Sequence, residues 1–292
     1  MTSPDVIIVG SGISGAGAAL RLGGLDVLML DVGNRPDARD PEESDDLYAW
    51  KQQSPAKIEG LLGPQFESLH NINNDYLMPK LKAPRMRFVT RGERTHCPIE
   101  SRGFFAKSSF ATGGLANVWG AQVYRFTEDE LVGFPIDRAE LEPYYDFVQE
   151  HIGISGTNDD LTHHISANDA LQPPIEPGAV GTRILAKYVR QRAHFERRGF
   201  RMGLPRMAVV TQPHRGRPPF GTDNLEFFRP GNRAIYNPAF TVDELVAKRQ
   251  LRHRTGQLVK AYRDVQGGVE VDVEDVATGT RETLRCKKLI LA

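Results

Sequence analysis

Six residues near the N-terminus, Gly10-Ser11-Gly12-Ile13-Ser14-Gly15, have the types and spacing of a phosphate-binding turn. Gly10 suits the tight backbone, Gly12 lets the chain approach a pyrophosphate, and Gly15 lets the following helix pack closely on a strand. Ile13 and Ser14 fall in the first helical turn, where free N–H groups and the helix dipole attract an anion. A carboxylate follows at Asp31, 21 positions after Gly10, with Val32 beside it. An acid at that distance can accept hydrogen bonds from ribose hydroxyls. A second glycine-rich stretch runs from Ser108 to Gln122. Its paired Gly113-Gly114 lets a backbone lie flat against a ligand, Asn117 can hydrogen-bond a polar edge, and Trp119 can pack on a ring. The same residues also fit a plain glycine-rich loop with a buried tryptophan.

The elements needed to position these groups are present. Val6-Ile7-Ile8-Val9 is a short apolar run that leads straight into the glycine turn, and Ala16 to Leu22 is small and helix-friendly. Asp26 to Leu30 reads as a second strand ending in Asp31. Strand, turn, helix and strand predict an α/β nucleotide-binding unit. The turn alone does not choose between NAD and FAD, and it does not name a reaction.

The bulk properties narrow the class. The chain has 292 residues, 40% hydrophobic and 25% charged, with net charge zero. That is ordinary for a globular protein of one large or two modest domains, and it argues against a nucleic-acid binder. Cys97 and Cys286 are the only cysteines. They have no zinc or redox spacing and read as reduced thiols. No apolar run is long enough to span a membrane, and the first strand begins too early for a signal peptide, so a cytoplasmic protein is expected.

Further along, Asn34 to Asp46 reads as a polar surface loop. From Leu47 to Arg102 prolines break the periodicity, and Asn71, Asn73, Asn74 and Asp75 mark turns. Such a stretch can wrap a cofactor, form a lid or hold a subunit. Asp137 with Glu140 predicts a capped helix whose Leu141, Tyr144, Tyr145, Val148 and Ile152 face the core, with Glu142, Asp146 and Glu150 on its solvated side. His163-His164 are adjacent, so they make a poor pair of metal ligands, and no metal is expected. A second helix is predicted over Thr182 to Arg198. Ten Lys or Arg residues lie between Arg183 and Arg217, opposed only by Glu196. They read as a solvated face or as a docking surface for an acidic partner or anionic substrate. Met207 to Thr211 is a possible strand, Arg215 to Pro238 reads as loops, and Thr241-Val242-Asp243-Glu244 opens a short helix. Four strands are predicted at the end: Gln257 to Tyr262, Val269 to Val273, Glu282 to Cys286 and Lys288 to Leu291.

Taken in order, these motifs resemble the FAD-binding half of a glucose–methanol–choline oxidoreductase. The matching residues are Gly10 to Gly15, Gly113-Gly114-x-x-Asn117, and Pro135-Ile136-Asp137 followed by Leu141-Glu142-Pro143-Tyr144-Tyr145-Asp146. Asp31-Val32-Gly33 is the acid, small residue and glycine often found in such flavoproteins. The chain is most similar to the branch of pyranose 2-oxidase and bacterial sugar or glycoside oxidases. There the loop reads Gly-Gly-x-x-x-His-Trp. Here Val118 takes the His place and Trp119 keeps the Trp. That His attaches the flavin covalently in pyranose 2-oxidase, so the resemblance implies non-covalent FAD. It also implies that Gly113, Gly114, Asn117, Val118 and Trp119 lie along the flavin and its pyrophosphate. The backbone of Thr255 to Val259 would meet the adenine, with Val259 the contact.

The resemblance implies an α/β fold: a Rossmann-type FAD-binding domain with a small inserted β-sheet and part of a substrate or cap region, without the C-terminal catalytic half. Segments 1–34, 103–154 and 241–292 would be FAD-binding, 35–102 an irregular lid or interface insertion, and 155–240 the partial cap. Family members continue past the strand matching Leu289-Ile290-Leu291-Ala292, and the catalytic His lies in that continuation, so no catalytic residue is expected in this chain. Three readings stay open. The chain is the FAD-binding subunit of a split oxidoreductase, forming a hetero-oligomer with a C-terminal-half subunit that carries the His and oxidises a secondary alcohol of a sugar or glycoside. Or it is the N-terminal fragment of a single-chain enzyme. Or it is a non-catalytic FAD- or protein-binding module.

Overall fold

The computed structural model describes residues 3–37, 52, 55–70, 78–100, 102–104, 106–165, 170–221 and 233–292, apart from the side chains of 55–57 and 163. Residues 38–46 of the expected surface loop, the turn residues Asn71, Asn73, Asn74 and Asp75, and 222–232 of the Arg215 to Pro238 segment lie outside these. The longer elements are β1 (Val6–Val9), α1 (Ile13–Arg21), β2 (Val27–Leu30), α2 (Arg138–Ile152), α3 (Ala179–Arg190), α4 (Pro238–Ala247), β3 (Arg252–Arg254), β4 (Gln257–Val265), β5 (Gly268–Asp275), β6 (Arg281–Cys286) and β7 (Lys288–Leu291). They fall into two compact units. One comprises Met1–Trp119, Gly221–Asn232 and Asn237–Ala292. The other comprises Gly120–Phe220 and Arg233–Tyr236.

The first unit is built on a parallel sheet in the order β3-β2-β1-β7. A parallel sheet is covered on both faces, which is why β1 and β2 are unbroken apolar runs rather than alternating ones. Val6, Ile8, Val27 and Met29 turn to one face and pack with Ala16 and Ala19 of α1 and Val242 and Leu245 of α4. Ile7, Leu28 and Leu30 turn to the other face, against Val271 and Val273 of β5 and Cys286 of β6. The antiparallel sheet β4-β5-β6 thus forms a third layer. One helix start and one whole strand differ from expectation. α4 starts at Pro238, capped by Asn237, whose Oδ1 accepts from Ala239 N–H at 2.9 Å. Asn-Pro is a strong N-cap and N1 pair, so the helix begins there, before the expected start at Thr241. β3, Arg-His-Arg, has no apolar pattern to announce it.

The segment from 55 to 97 contains short helical turns, Pro55–Leu62, Pro79–Lys82, Pro84–Val89 and Glu93–His96, three of them begun by proline. Leu81, Ala83, Met86, Phe88 and Val89 make a local core. Asn34 is no loop residue. It bridges to Ala111 and its amide donates to the carbonyls of Phe88 and Arg91.

The second unit holds α2 and α3. Asp137 caps α2, its Oδ1 accepting from Glu140 N–H at 2.9 Å. The inward stripe is the expected one in part, with Ile152 buried and Leu141 and Tyr145 half-buried. Tyr144 and Val148 are exposed, and Gln149 is buried. Glu142 and Asp146 bind the guanidinium of the buried Arg125 while staying partly open to solvent, and Gln149 turns inward to the same group. The expected second helix is two pieces, α3 and Arg192–Glu196, with a break at Gln191. Met207–Val210 runs through the centre as single bridges, Met207 to Gln122 and Ser155 and Val209 to Ile235. No described helix is long and apolar enough to cross a membrane.

Candidate functional site

The site forms where β1 ends within the first unit. Gly10 takes φ +94°, and a Cβ there would lie 2.6 Å from the Ala292 carbonyl oxygen. A Cβ on Gly15 would run into the Gly10 carbonyl, so α1 sits as close to the turn as backbone allows. Gly12 is different. A Cβ there meets nothing within 4 Å. Gly12 is also the N-cap of α1, with no side chain capping the helix and no acid in its first turn. Ile13 and Ser14, next in line, are exposed. An uncapped helix start beside open space is what an anion needs.

Asp31 is buried at the end of β2. Its backbone is fixed by neighbours from the β3–β4 turn. Asp31 N–H donates to Arg254 O, Gln257 N–H to Asp31 O, and Gly256 N–H to Val32 O, at 3.1, 2.9 and 2.8 Å. Its carboxylate Oδ2 accepts from the hydroxyl of Ser11. The Ser11 oxygen accepts from Gly113 N–H at 3.0 Å. Gly114 lies against the fingerprint, and its Cβ would sit 3.3 Å from the Gly12 Cα. The two glycine-rich stretches, a hundred residues apart, therefore meet.

Other expected site residues take varied places. Asn117 turns into its own loop. Its Nδ2 donates to the Thr112 and Gly114 carbonyls at 3.0 and 2.7 Å, and its Oδ1 accepts from Asn237 Nδ2 at 2.7 Å. It clamps the Gly-Gly turn instead of offering its amide outward. Val118 is buried in the core with Leu81, Met86 and Phe88. A β-branched apolar side chain at that position goes inward because the local core needs it. Trp119 is half-buried. Val259 is half-buried on β4, paired with Val273 beside a register shift, with its side chain packed between the sheets.

Three contributors were not anticipated. Ser11 is the link between fingerprint, acid and loop, Asn237 braces Asn117, and His253 lies near the acid. His253 Nε2 is 3.8 Å from Asp31 Oδ2 and has no hydrogen-bond partner, and the Thr112 hydroxyl is likewise buried and unpartnered. Ser11 occupies a variable slot of the motif. Asn237-Pro238 was a readable cap signal.

A dinucleotide fits this chemistry. The open face at Gly12, the uncapped α1, the buried carboxylate and the orphaned Thr112 hydroxyl supply an anion site and hydrogen-bonding groups in one unit. Among the described residues no cluster of His, Cys, Asp or Glu could hold a metal ion. Cys97 and Cys286 are both free.

No protein-family profile matches the chain. Over 186 residues it is 28% identical to the 2-methyl-1,2-propanediol dehydrogenase of Mycolicibacterium austroafricanum, covering 61% of this chain and 29% of that enzyme. Among solved structures, a fungal aryl-alcohol oxidase aligns with all of this chain and 46% of its own, at 13% identity and a TM-score of 0.49. The FAD complex of the glycerol-3-phosphate dehydrogenase from Bacillus halodurans aligns over 34% of its length at 11% identity, with a TM-score of 0.34. The chain spans under a third of the curated relative and about half or less of these structures.

Proposed function

We propose that this chain is the cofactor-binding half of an FAD-dependent oxidoreductase acting on the CH–OH group of an alcohol. The observation that carries the reading is the junction of Gly12, Ser11, Asp31 and Gly113 beside the uncapped start of α1. The partial identity to a diol dehydrogenase supports an alcohol as the substrate class.

Bound FAD supplies an acceptor for the hydride of the alcohol carbon. The residues of this chain bind and orient. The amides at the start of α1 would meet the pyrophosphate, Asp31 would take the ribose hydroxyls, and Gly113 and Gly114, with φ +87° and +60°, bring their turn against Gly12. Val118, standing where the resembling branch carries its flavin-linking His, has no group for a covalent link, which supports a non-covalently held cofactor. The finer reading is a split enzyme oxidising a secondary alcohol of a sugar or glycoside. A histidine on a C-terminal-half partner chain takes the hydroxyl proton as the carbon becomes a carbonyl.

The test is an absorption spectrum of the purified chain, expressed alone and together with the gene product encoded beside it, with polypeptide masses measured. Flavin near 1:1 in the two-chain complex, released by acid, supports the split enzyme. Flavin on a single longer polypeptide replaces that reading with a one-chain enzyme. No flavin in either preparation removes the oxidoreductase reading.

A further inference from the structure

Asp31 is the charged centre of the site, and its carboxylate is held from the protein side. Ser11 Oγ donates to Oδ2, and the same Oγ accepts from Gly113 N–H. His253 Nε2 lies 3.8 Å from that oxygen and makes no other bond. Ser11 is 2% exposed, Asp31 8%, and the His253 side chain 6%. The geometry follows from the sheet. β3 runs parallel to β2 with His253 opposite Met29. Residues two apart share a face, so Met29, Asp31 and His253 point the same way. A buried carboxylate needs donors to stay ionised, and donors also fix its rotamer. Ser11 is a donor already engaged, and the unpartnered His253 Nε2 is the next polar group beside the carboxylate, 3.8 Å away and just beyond hydrogen-bond distance.

We propose that Ser11 and His253 are positioning residues for the cofactor. They hold Asp31 in the orientation that receives ribose hydroxyls, and Ser11 ties that orientation to the seating of the Gly113–Gly114 loop. This rests on the flavin-site reading. One hydroxyl serves two partners, so losing it frees the acid and orphans the loop amide together. The conjunction of fingerprint, acid and loop then behaves as one unit in binding.

The test uses the flavin-carrying preparation, stripped of flavin and titrated with FAD by fluorescence. The variants are Ser11→Ala, His253→Leu, His253→Gln and Asp31→Asn, with the first two repeated in the Asp31→Asn background. Ser11→Ala weakens FAD by about tenfold, as loss of a hydrogen bond to a charged group does. His253→Leu, which removes a polar group 3.8 Å from the carboxylate and no formed hydrogen bond, weakens it by a smaller factor of about three. His253→Gln, which keeps a side-chain N–H, recovers most of the affinity. In the Asp31→Asn background neither change weakens FAD further, because both act through the carboxylate. Equal losses with and without Asp31 overturn the proposal. So does a set in which FAD affinity simply tracks the melting midpoint of the flavin-free protein. A wild-type protein that binds no FAD overturns the flavin-site reading with it, whereas failed coupling in a protein that binds FAD overturns this proposal alone.

Discussion

The two units bury polar groups in opposite ways. In the nucleotide-site unit, backbone amides, one hydroxyl and one carboxylate do the work, and glycines let them come close. The second unit is organised around guanidinium groups. Arg125 binds Glu142, Asp146 at 2.7 Å and Gln149 at 2.9 Å, and lies over the Tyr145 ring. Arg217 donates to the carbonyls of Ile152, Arg233 and Ala234, so the C-terminal end of α2 offsets its charge. Arg206 is fully buried, yet its Nε and Nη1 have no partner and its Nη2 reaches only Asn158 Oδ1 at 3.4 Å. A site for an anion can be assembled from backbone, which presents no charge of its own to neutralise. A scaffold built on buried cations depends on each one's partners.

The largest effects sharpen the first half of this comparison. Gly15→Val drives a branched side chain into the Gly10 carbonyl and should leave no folded protein, since neither backbone can move aside. Gly12→Ala adds a methyl to open space, and the N-cap conformation of φ −65° suits alanine. It should leave the flavin-free melting midpoint within a few degrees while lowering FAD affinity by at least about tenfold, because the methyl occupies the pyrophosphate approach. A Gly12→Ala protein that binds FAD normally would show that nothing approaches that face.

The same contrast decides what could be read from the sequence. The β1-turn-α1 unit, Asp31 and the final strands were legible because apolar runs and glycine spacing are local signals. The meeting of Gly113 with Ser11 was not, since it joins residues 102 apart through a single hydroxyl. β3 was missed because its edge position in the sheet, rather than its Arg-His-Arg composition, makes it a strand. Asn117 has a type that suits a ligand and Val118 is placed at the site by the resemblance alone; in the fold the first also serves as a clamp and the second joins a core. In the second unit, Glu142, Asp146, Arg206 and Arg217 looked like solvent-facing charge. Composition cannot tell a buried guanidinium from an exposed one, so nothing local placed Gln149 on the inward face of α2.

Changes to the buried arginines should part in sign. Arg125→Ala removes the guanidinium that Glu142, Asp146 and Gln149 share, leaving Glu142 its ion pair with Arg138. Breaking a buried pair costs about 3–5 kcal/mol, and the partial exposure of Glu142 and Asp146 to solvent reduces this to about 2–3 kcal/mol. Thermal or urea denaturation would register it as a clear loss. The Arg138 hydrogen bond first, and then the hydrogen bond and charge of Arg125, hold the Glu142 carboxyl below its usual range. That contribution is present at neutral pH and fades as pH falls through the lowered value, so the wild-type advantage over Arg125→Ala should shrink in acid. Arg206→Met should do the reverse. Burial lowers the guanidinium pKa, the charge has no direct carboxylate contact, and an apolar side chain of similar length removes the desolvation cost. Stability should stay level or rise by about 1–2 kcal/mol. A drop comparable to that of Arg125→Ala would mean that Arg206 has partners of equal weight.

Lys80 gives the smallest effect and brings the comparison back to the first unit. Like Arg206 it is penalised by burial, which pushes its amine down to about 8. Lysine can shed the proton where arginine cannot. The unfolded chain keeps an ordinary value near 10.5, so between about pH 8 and 10.5 it binds more protons than the folded chain. Stability therefore rises with pH across that window, and the cost of the charged amine is complete below it. Lys80→Met removes the cost. It should stabilise the protein by about 1 kcal/mol at pH 7, after allowance for its partial exposure, and by nothing above about pH 10.5. Melting curves of both proteins at pH 7 and pH 10 would show the gap closing. A gap that does not change with pH would mean that the substitution acts through packing, and that Lys80 pays no charge penalty in the fold.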